Sequence, residues 1–375
     1  MMRKKTLNFG IIGSGFMGRT HVFGIALASR LFELPVSLRL VKIADVSYDA
    51  ARKAANEMGF EDFTGDWKDL IEDKKVDVIN ITTPNAFHKE MALEAIKAGK
   101  HVYCEKPLAT SIGDANAMRK AANRANIKTQ VGFNYLCNPM LKKARKMILD
   151  GDLGEILGFR GLHAEDYMVS RKSPFTWRHE KQGGGALADL GSHIIATAEF
   201  LIGPIKEVMG SCETAIKTRK DQLGFSRNIE VDDITRVFLR FENGATGSLE
   251  ANWISMGRKM QHDFEVYGSE GAICYSGERL NELLYYNNSD PTGEKGFRTI
   301  WAGPDHKPYD RFCVAPGHQL GFADLKAIEV KQFVDAITGL SPEPFNFDAG
   351  YRIQMLVDLI KKSSMQEKWL AVEID

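Results

Sequence analysis

Cysteine is scarce: Cys104, Cys137, Cys212, Cys274 and Cys313 are the only ones in 375 residues, an odd number at wide, irregular intervals with no C-x-x-C pair. That excludes a disulfide framework and a zinc knuckle, and it fits a reducing compartment. Excess charge is missing too, since 49 basic residues balance 49 acidic ones. Nothing points to a polyanionic partner, so neither nucleic acid nor an acidic membrane face is expected. There is no internal repeat and no low-complexity tract. A 44% hydrophobic and 26% charged composition argues against disorder and against residence in a membrane. The length suggests two or three domains with real cores.

The start Met1-Met2-Arg3-Lys4-Lys5-Thr6 has the look of a signal n-region. The apolar run behind it is short, however, and reaches Gly13-Ser14-Gly15 without a cleavage-type segment. It reads as a strand, and a cytoplasmic protein is expected. Up to about Asn134, β-branched runs at residues 7–12, 38–44, 76–82, 101–104 and 129–133 alternate with helical stretches at 50–58 and 87–98. Gly59 and Gly99 stand where helix C-caps belong. This is the pattern of βαβ units in a parallel sheet covered on both faces. After about Cys137 an amphipathic stretch to Leu149 leads into longer strands joined by turns, as at 236–241, Glu242-Asn243-Gly244 and 245–253. That half reads as a mostly antiparallel sheet, closed by helices at 326–338 and 351–365 and a short strand at 370–374. Gly183-Gly184-Gly185 lets backbone approach a ligand or a neighbouring element closely.

Gly13-Ser14-Gly15-Phe16-Met17-Gly18 follows the first strand and opens a helix, the context that gives G-x-G-x-x-G its meaning. Gly13 permits the turn, Gly15 lets a pyrophosphate reach backbone N–H groups, and Gly18 lets helix and strand pack. The second strand ends in Asp45, whose carboxylate can accept both ribose hydroxyls and repel a 2′-phosphate. Asp45 lies further past Gly18 than the usual ~20 residues, and the excess around residues 31–37 reads as an insertion. A plain surface aspartate is the alternative. NAD is favoured and NADP disfavoured, although Arg52 is within reach of a 2′-phosphate.

Three further stretches complete a pattern: Thr82-Thr83-Pro84-Asn85-Ala86-Phe87-His88, Ala98-Gly99-Lys100-His101-Val102-Tyr103-Cys104-Glu105-Lys106-Pro107-Leu108, and Gly185-Ala186-Leu187-Ala188-Asp189-Leu190-Gly191-Ser192-His193. With the glycine loop they resemble the Gfo/Idh/MocA family of sugar and cyclitol oxidoreductases over essentially the whole chain. The resemblance implies an α/β fold. An N-terminal Rossmann parallel sheet, the NAD(P)-binding domain at 1–135, is joined to a C-terminal α/β domain with a large, mostly antiparallel, open-faced sheet. That second domain, 136–375, would bind substrate and oligomerise.

Lys106 would sit at the carboxyl end of a parallel strand, where an ammonium can stabilise alkoxide character in a substrate hydroxyl. Asp189 and His193, four apart at helical spacing, would share a face, with the carboxylate orienting the imidazole as it takes the hydroxyl proton. In the family these three are the catalytic set, converging on one secondary hydroxyl. The resemblance also places Gly13, Gly15, Phe16, Met17, Asp45, Thr83, Pro84, Asn85, His88, Glu105, Lys106 and Asn134 against the cofactor. Trp177 and Arg178 offer a stacking platform for a nicotinamide or a pyranose. Tyr135, His163 and Asp166 would read substrate hydroxyls beside Lys106, Asp189 and His193. No metal is expected, because the histidines and carboxylates lack zinc spacing.

The resulting expectation is an NAD-dependent dehydrogenase that converts a secondary hydroxyl of a pyranose to a ketone, reversibly. The substrate expected first is an anhydrosugar or glycoside oxidised at C3, such as levoglucosan; the alternative is myo- or scyllo-inositol. From another class, a dinucleotide-responsive regulator without enzymatic activity shares the fold. The open sheet face, expected to be broadly apolar, would pair in a homotetramer.

Overall fold

Six short strands, β1 (Thr6–Ile12), β2 (Ser37–Ala44), β3 (Asp62–Thr64), β4 (Val78–Ile81), β5 (His101–Cys104) and β6 (Thr129–Val131), form a wholly parallel sheet in the order β3-β2-β1-β4-β5-β6. The structure is a computed structural model and describes residues 4–373. All four residues of β4 are buried, as strands covered on both faces require. The connecting helices are α1 (Phe16–Leu31), α2 (Tyr48–Met58), α3 (Trp67–Glu72), α4 (His88–Lys97) and α5 (Ile112–Ala125). Gly59, at φ 79°, ends α2 and returns its N–H to Ala55 O at 2.9 Å. The order reverses between β1 and β4, and open α/β sheets bind ligands beyond the carboxyl ends of their strands at such a point.

The second sheet has nine strands. They are β7 (Ile156–Ala164), β8 (Ile205–Glu213), β11 (Ile234–Phe241), β12 (Thr246–Asn252), β13 (Gln261–Gly268), β14 (Gly271–Tyr275), β15 (Glu282–Asn287), β16 (Arg298–Trp301) and β17 (Leu370–Ala371); β9 (Thr218–Lys220) and β10 (Ser226–Asn228) form a separate hairpin. The order is β16-β15-β14-β13-β7-β12-β11-β8-β17. All neighbours are antiparallel except β7 with β12. Of the closing strand expected at 370–374, Leu370 and Ala371 pair with β8, while Ile374, like Met1–Arg3 of the N-terminal run, lies outside the described residues.

Helices α6 (Pro139–Leu149) and α7 (Ser192–Ile202) belong to this half. The stretch Lys181–Ile202 is long and apolar enough to cross a membrane, but 83% of its most apolar 18-residue window is buried inside the protein, as in a core helix. On β11, Val237, Leu239 and Phe241 point into the core, while Arg236, Phe238 and Arg240 point outward. The outward face is not the broad apolar surface expected. It is laced by Arg236–Glu250 at 2.8 Å and Arg240–Glu207 at 2.7 Å, with Phe238 exposed among them.

The chain divides into two compact units, residues up to Cys137 with Gly321–Gln354, and Asn138–Leu320 with Met355 onward. The division read from sequence, 1–135 and 136–375, differs by one returning segment. Helix α8 (Phe322–Ile337) packs along α1, where Gly24 leaves room for it: a Cβ there would stand 2.7 Å from Lys326 Cγ. Helix α9 (Phe347–Gln366) carries the chain out of the first unit again.

Candidate active site

In the first unit, the glycine loop leaves β1 with Gly13 at φ 100°, its N–H donating to Ala44 O at 2.9 Å. A Cβ on Gly18 would lie 2.1 Å from Gly13 O, so only glycine lets α1 pack against the turn. Gly15 is different. A Cβ there would meet nothing within 4 Å, and α1 starts with no side-chain cap and no acidic residue in its first turn. Its N–H groups and dipole are left for an anion that comes close to the backbone, which fits the pyrophosphate of a dinucleotide. Phe16, exposed, stacks on Phe322 with ring centroids 5.6 Å apart, and Met17 is half-buried beside it.

Asp45 closes the loop from β2. Its Oδ2 accepts the Ser14 N–H at 2.8 Å and also the Ser14 hydroxyl, and its Oδ1 accepts the Val46 N–H at 2.7 Å. The carboxylate is therefore fixed beside the loop, in the position that suits a ribose diol. Arg52 pairs with Asp49 at 3.1 Å. Thr82, which the sequence reading passed over, donates its hydroxyl to Ile12 O at 2.9 Å and Gly13 O at 2.8 Å and so braces the loop from β4.

Past β4, Thr83 and Pro84 are half-buried and Asn85 is buried at the start of a single turn. His88 is fully buried, with Nδ1 3.0 Å from Pro107 O and Nε2 2.9 Å from Thr83 O. The ring lies between these two loops, and burial lowers its proton affinity. Glu105 is buried as well. Its Oε1 receives His21 Nε2 at 2.8 Å and the Lys326 ammonium at 2.9 Å, within a buried cluster that includes Glu329, 2.8 Å from Lys326. Burial works to raise the Glu105 pKa, but the Lys326 charge and the His21 hydrogen bond outweigh it and hold the carboxyl ionised. Neither partner was legible, since each lies far along the chain.

Lys106 follows β5 at the carboxyl edge of the sheet, half-buried, with a cis peptide to Pro107. Asn134, just past β6, is 2% exposed, and its Nδ2 has no hydrogen-bond partner among the described residues, a donor suited to an incoming acceptor. Tyr135 is half-buried with its ring 6.0 Å from that of Phe322.

In the second unit, Leu187–Gly191 forms a π-helical turn that runs into α7, placing Asp189 on the wide turn and His193 on the first turn of the α-helix. Such turns are rare, and many of those known lie at functional sites. Asp189 Oδ2 accepts the Tyr167 hydroxyl at 2.7 Å and lies 3.4 Å from Arg178 Nε. Arg178 itself stacks over Trp177 at 4.4 Å. Tyr167 rests edge-on to Trp253, which is fully buried with its Nε1–H on Asp233 at 2.7 Å. The glycine run serves a neighbouring element: a Cβ on Gly185 would lie 2.2 Å from Asp232 Oδ1 and one on Gly183 2.2 Å from Trp177 O.

His163 and Asp166, both expected to read substrate, have partners within the protein. His163 is 1% exposed, with Nδ1 3.1 Å from Leu190 O and Nε2 3.3 Å from Glu165. Asp166 is spent on the Lys259 ammonium at 2.6 Å and the Gly257 N–H at 3.1 Å, contacts that hold its carboxyl below the usual range. His262, which no local motif flags, lies on β13 directly across from His163, Nδ1 to Nδ1 at 3.2 Å. Among the described residues, no group of three or more His, Cys, Asp or Glu side chains is placed to hold a metal ion.

The parallel sheet with its glycine loop, and an aspartate fixed beside that loop at the end of β2, has the build of an NAD-binding oxidoreductase. Residues 7–133 match the model of the oxidoreductase family with an NAD-binding Rossmann fold, and 141–274 match the GFO/IDH/MocA C-terminal domain. The chain belongs to the GFO/IDH/MocA oxidoreductase family. Levoglucosan dehydrogenase of Pseudarthrobacter phenanthrenivorans is 37% identical over 98% of both chains. Glucose-6-phosphate 3-dehydrogenase of Bacillus subtilis is 28% identical over 71% of this chain and 73% of its own. A solved levoglucosan dehydrogenase in complex with NADH and levoglucosan superposes with a TM-score of 0.95, covering 98% of this chain and all 100% of that one. An NAD-binding oxidoreductase from Klebsiella pneumoniae superposes with a TM-score of 0.94 at 39% identity, covering 99% of this chain and 100% of its own.

Proposed function

We propose that the protein is an NAD-dependent dehydrogenase of a pyranose, oxidising the C3 hydroxyl of an anhydrosugar or glycoside such as levoglucosan to the ketone and reducing it in reverse. The observation that carries this reading is the end-to-end match to levoglucosan dehydrogenase in a chain that keeps Lys106, Asp189 and His193. Gly13, Gly15, Phe16 and Met17 hold the pyrophosphate end of the cofactor and Asp45 the adenine ribose. Thr83, Pro84, Asn85, Lys106 and Asn134 line the way to the nicotinamide, and Trp177 with Arg178 forms its platform. Bound NAD supplies the hydride acceptor. Lys106 steadies the oxygen as negative charge develops on it, and His193 takes the proton. Asp189, held by Tyr167 and Arg178, keeps His193 oriented, and Tyr135 contributes to substrate binding.

The functional division is proposed as a cofactor half, 1–135, and a substrate and oligomerisation half, 136–375. Assembly into a homotetramer through the open sheet face and a cytoplasmic location complete the reading. A light-scattering mass of a monomer at micromolar concentration would remove the tetramer. A second reading is a cyclitol substrate, favoured by the likeness to scyllo-inositol 2-dehydrogenase (NAD(+)) of Bacillus subtilis, 25% identical over 92% of this chain.

The deciding experiment follows NADH formation with NAD or NADP across levoglucosan, methyl glucosides, free hexoses, myo-inositol and scyllo-inositol. Fastest turnover of a pyranoside with NAD supports the first reading, and fastest turnover of an inositol the second. Inactivity on all of them with NADH binding intact turns the assignment toward a dinucleotide-responsive regulator.

A further inference from the structure

The second unit carries a hydrogen-bond chain that the proposed chemistry does not use. His163 at the end of β7 and His262 on β13 are direct cross-strand partners, and both point from the sheet toward the segment 187–202. His163 Nδ1 lies 3.1 Å from Leu190 O and 3.2 Å from His262 Nδ1. His262 Nε2 lies 2.9 Å from the Thr197 hydroxyl, which donates to His193 O at 3.0 Å. The proton order that joins the two ends shares the His163 Nδ1–H between Leu190 O and His262 Nδ1 and has His262 Nε2–H donate to Thr197 Oγ1, with His163 Nε2 3.3 Å from Glu165. The chain thus begins at the carbonyl of Leu190, in the π-helical turn, and ends at the carbonyl of His193. All three histidines are buried, and the His163 ring centroid is 5.5 Å from that of His193.

We propose that His262 is a positioning residue for His193: through Thr197 and His163 it clamps both sides of the junction between π-turn and α-helix, and so fixes where the His193 ring points. The inference rests on the reading of His193 as the proton acceptor. The physical need is plain. A π-turn breaks the regular hydrogen-bond ladder at the point from which His193 projects, and a backbone displacement of about 1 Å at a proton-transfer group can cost about 10²-fold in rate. A sheet-borne clamp on each side removes that freedom. Burial and the neighbouring His163 hold the His262 proton affinity well below the ordinary value, so the ring stays neutral.

The test separates clamping from mere packing. His262→Leu fills the space without the hydrogen bonds, His262→Gln restores a donor near the Thr197 hydroxyl, and Thr197→Val removes that hydroxyl alone. With the substrate oxidised fastest in the assay above, His262→Leu and Thr197→Val should each lower kcat about tenfold, with KM for NAD changed by less than about twofold. His262→Gln should recover most of the loss, and the double variant should be no worse than either single one, as expected for two links of one chain.

Imidazole ¹⁵N spectra of the NADH complex read the same device without turnover. They should show His262 as the neutral Nε2–H tautomer, and a His193 signal that broadens or shifts in His262→Leu and returns in His262→Gln. Unchanged kcat in the folded variants, additive losses, or an Nδ1–H tautomer at His262 would each overturn the inference. Near-normal turnover of His193→Ala would instead overturn the reading on which it rests. The tautomer and the His193 signal would then still decide whether the clamp exists.

Discussion

Lys326 is fully buried, and its ammonium lies 2.9 Å from Oε1 of Glu105, a partner 221 residues earlier in the chain. Burial opposes the charge, but Glu105 and Glu329 outweigh it and push the Lys326 pKa up to about 12. The pair is held by mutual need: either charge alone in that interior would be strongly unfavourable. Lys326→Met should destabilise the protein by about 3–5 kcal/mol, because it leaves Glu105 uncompensated. Adding Glu105→Gln should recover part of that loss. Urea unfolding of the two variants checks both statements.

Acid should weaken the same cluster through His21. Burial, followed by the Lys326 charge, holds the His21 pKa down to about 4, and the neutral ring donates from Nε2 to Glu105 while Nδ1 faces Asn80 Nδ2 at 2.8 Å. The unfolded chain takes up this proton below about 6.5, whereas the folded chain takes it up only near 4. Between those values the unfolded state binds more protons, so stability falls as pH falls, by on the order of 3 kcal/mol across the window. Melting temperatures from pH 7 down to 4 should show this slope, and His21→Gln should flatten it from a lower starting stability.

The proposed catalytic roles make a sharper demand. Lys106→Ala and His193→Ala should each lower turnover by at least about 10²-fold while NADH still binds. Steady-state kinetics beside fluorescence titration of NADH separates the two effects. A variant that kept its turnover would remove that residue from the mechanism.

Cofactor choice should rest on Asp45. Replacing it by Ser removes the charge that repels a 2′-phosphate and should shrink the preference for NAD over NADP by about tenfold or more in kcat/KM. Ser14 loses its anchor in the same change, so NAD itself should bind less well.

What the sequence made legible is what local chemistry determines. The G-x-G-x-x-G turn needs glycine for reasons visible within six residues, Gly59 and Gly99 mark helix ends by themselves, and alternation along β11 announces an inside and an outside. Long-range partners have no such local sign. Glu105, His88 and His163 stand in motifs that suggest ligand contact, and their partners within the protein include Lys326, the Pro107 carbonyl and His262, residues that only the folded chain brings near. The parallel pairing of β7 with β12 is equally silent, because nothing in either strand records the direction of a neighbour so far along the chain. The charged lacing of the open face was not read from the sequence, because the arginines of β11 find Glu207 and Glu250 only once other strands lie beside them.

The return of α8 to the first unit has a consequence for how the protein is made. A ribosome adds about 5–20 residues per second, so the parallel sheet emerges roughly ten to forty seconds before the helix that covers α1. During that interval Glu105 and His21 have no Lys326 to meet, and the groove along Gly24 lies open to solvent. The newborn first half is an unfinished nucleotide fold until residues 321–354 arrive to complete it.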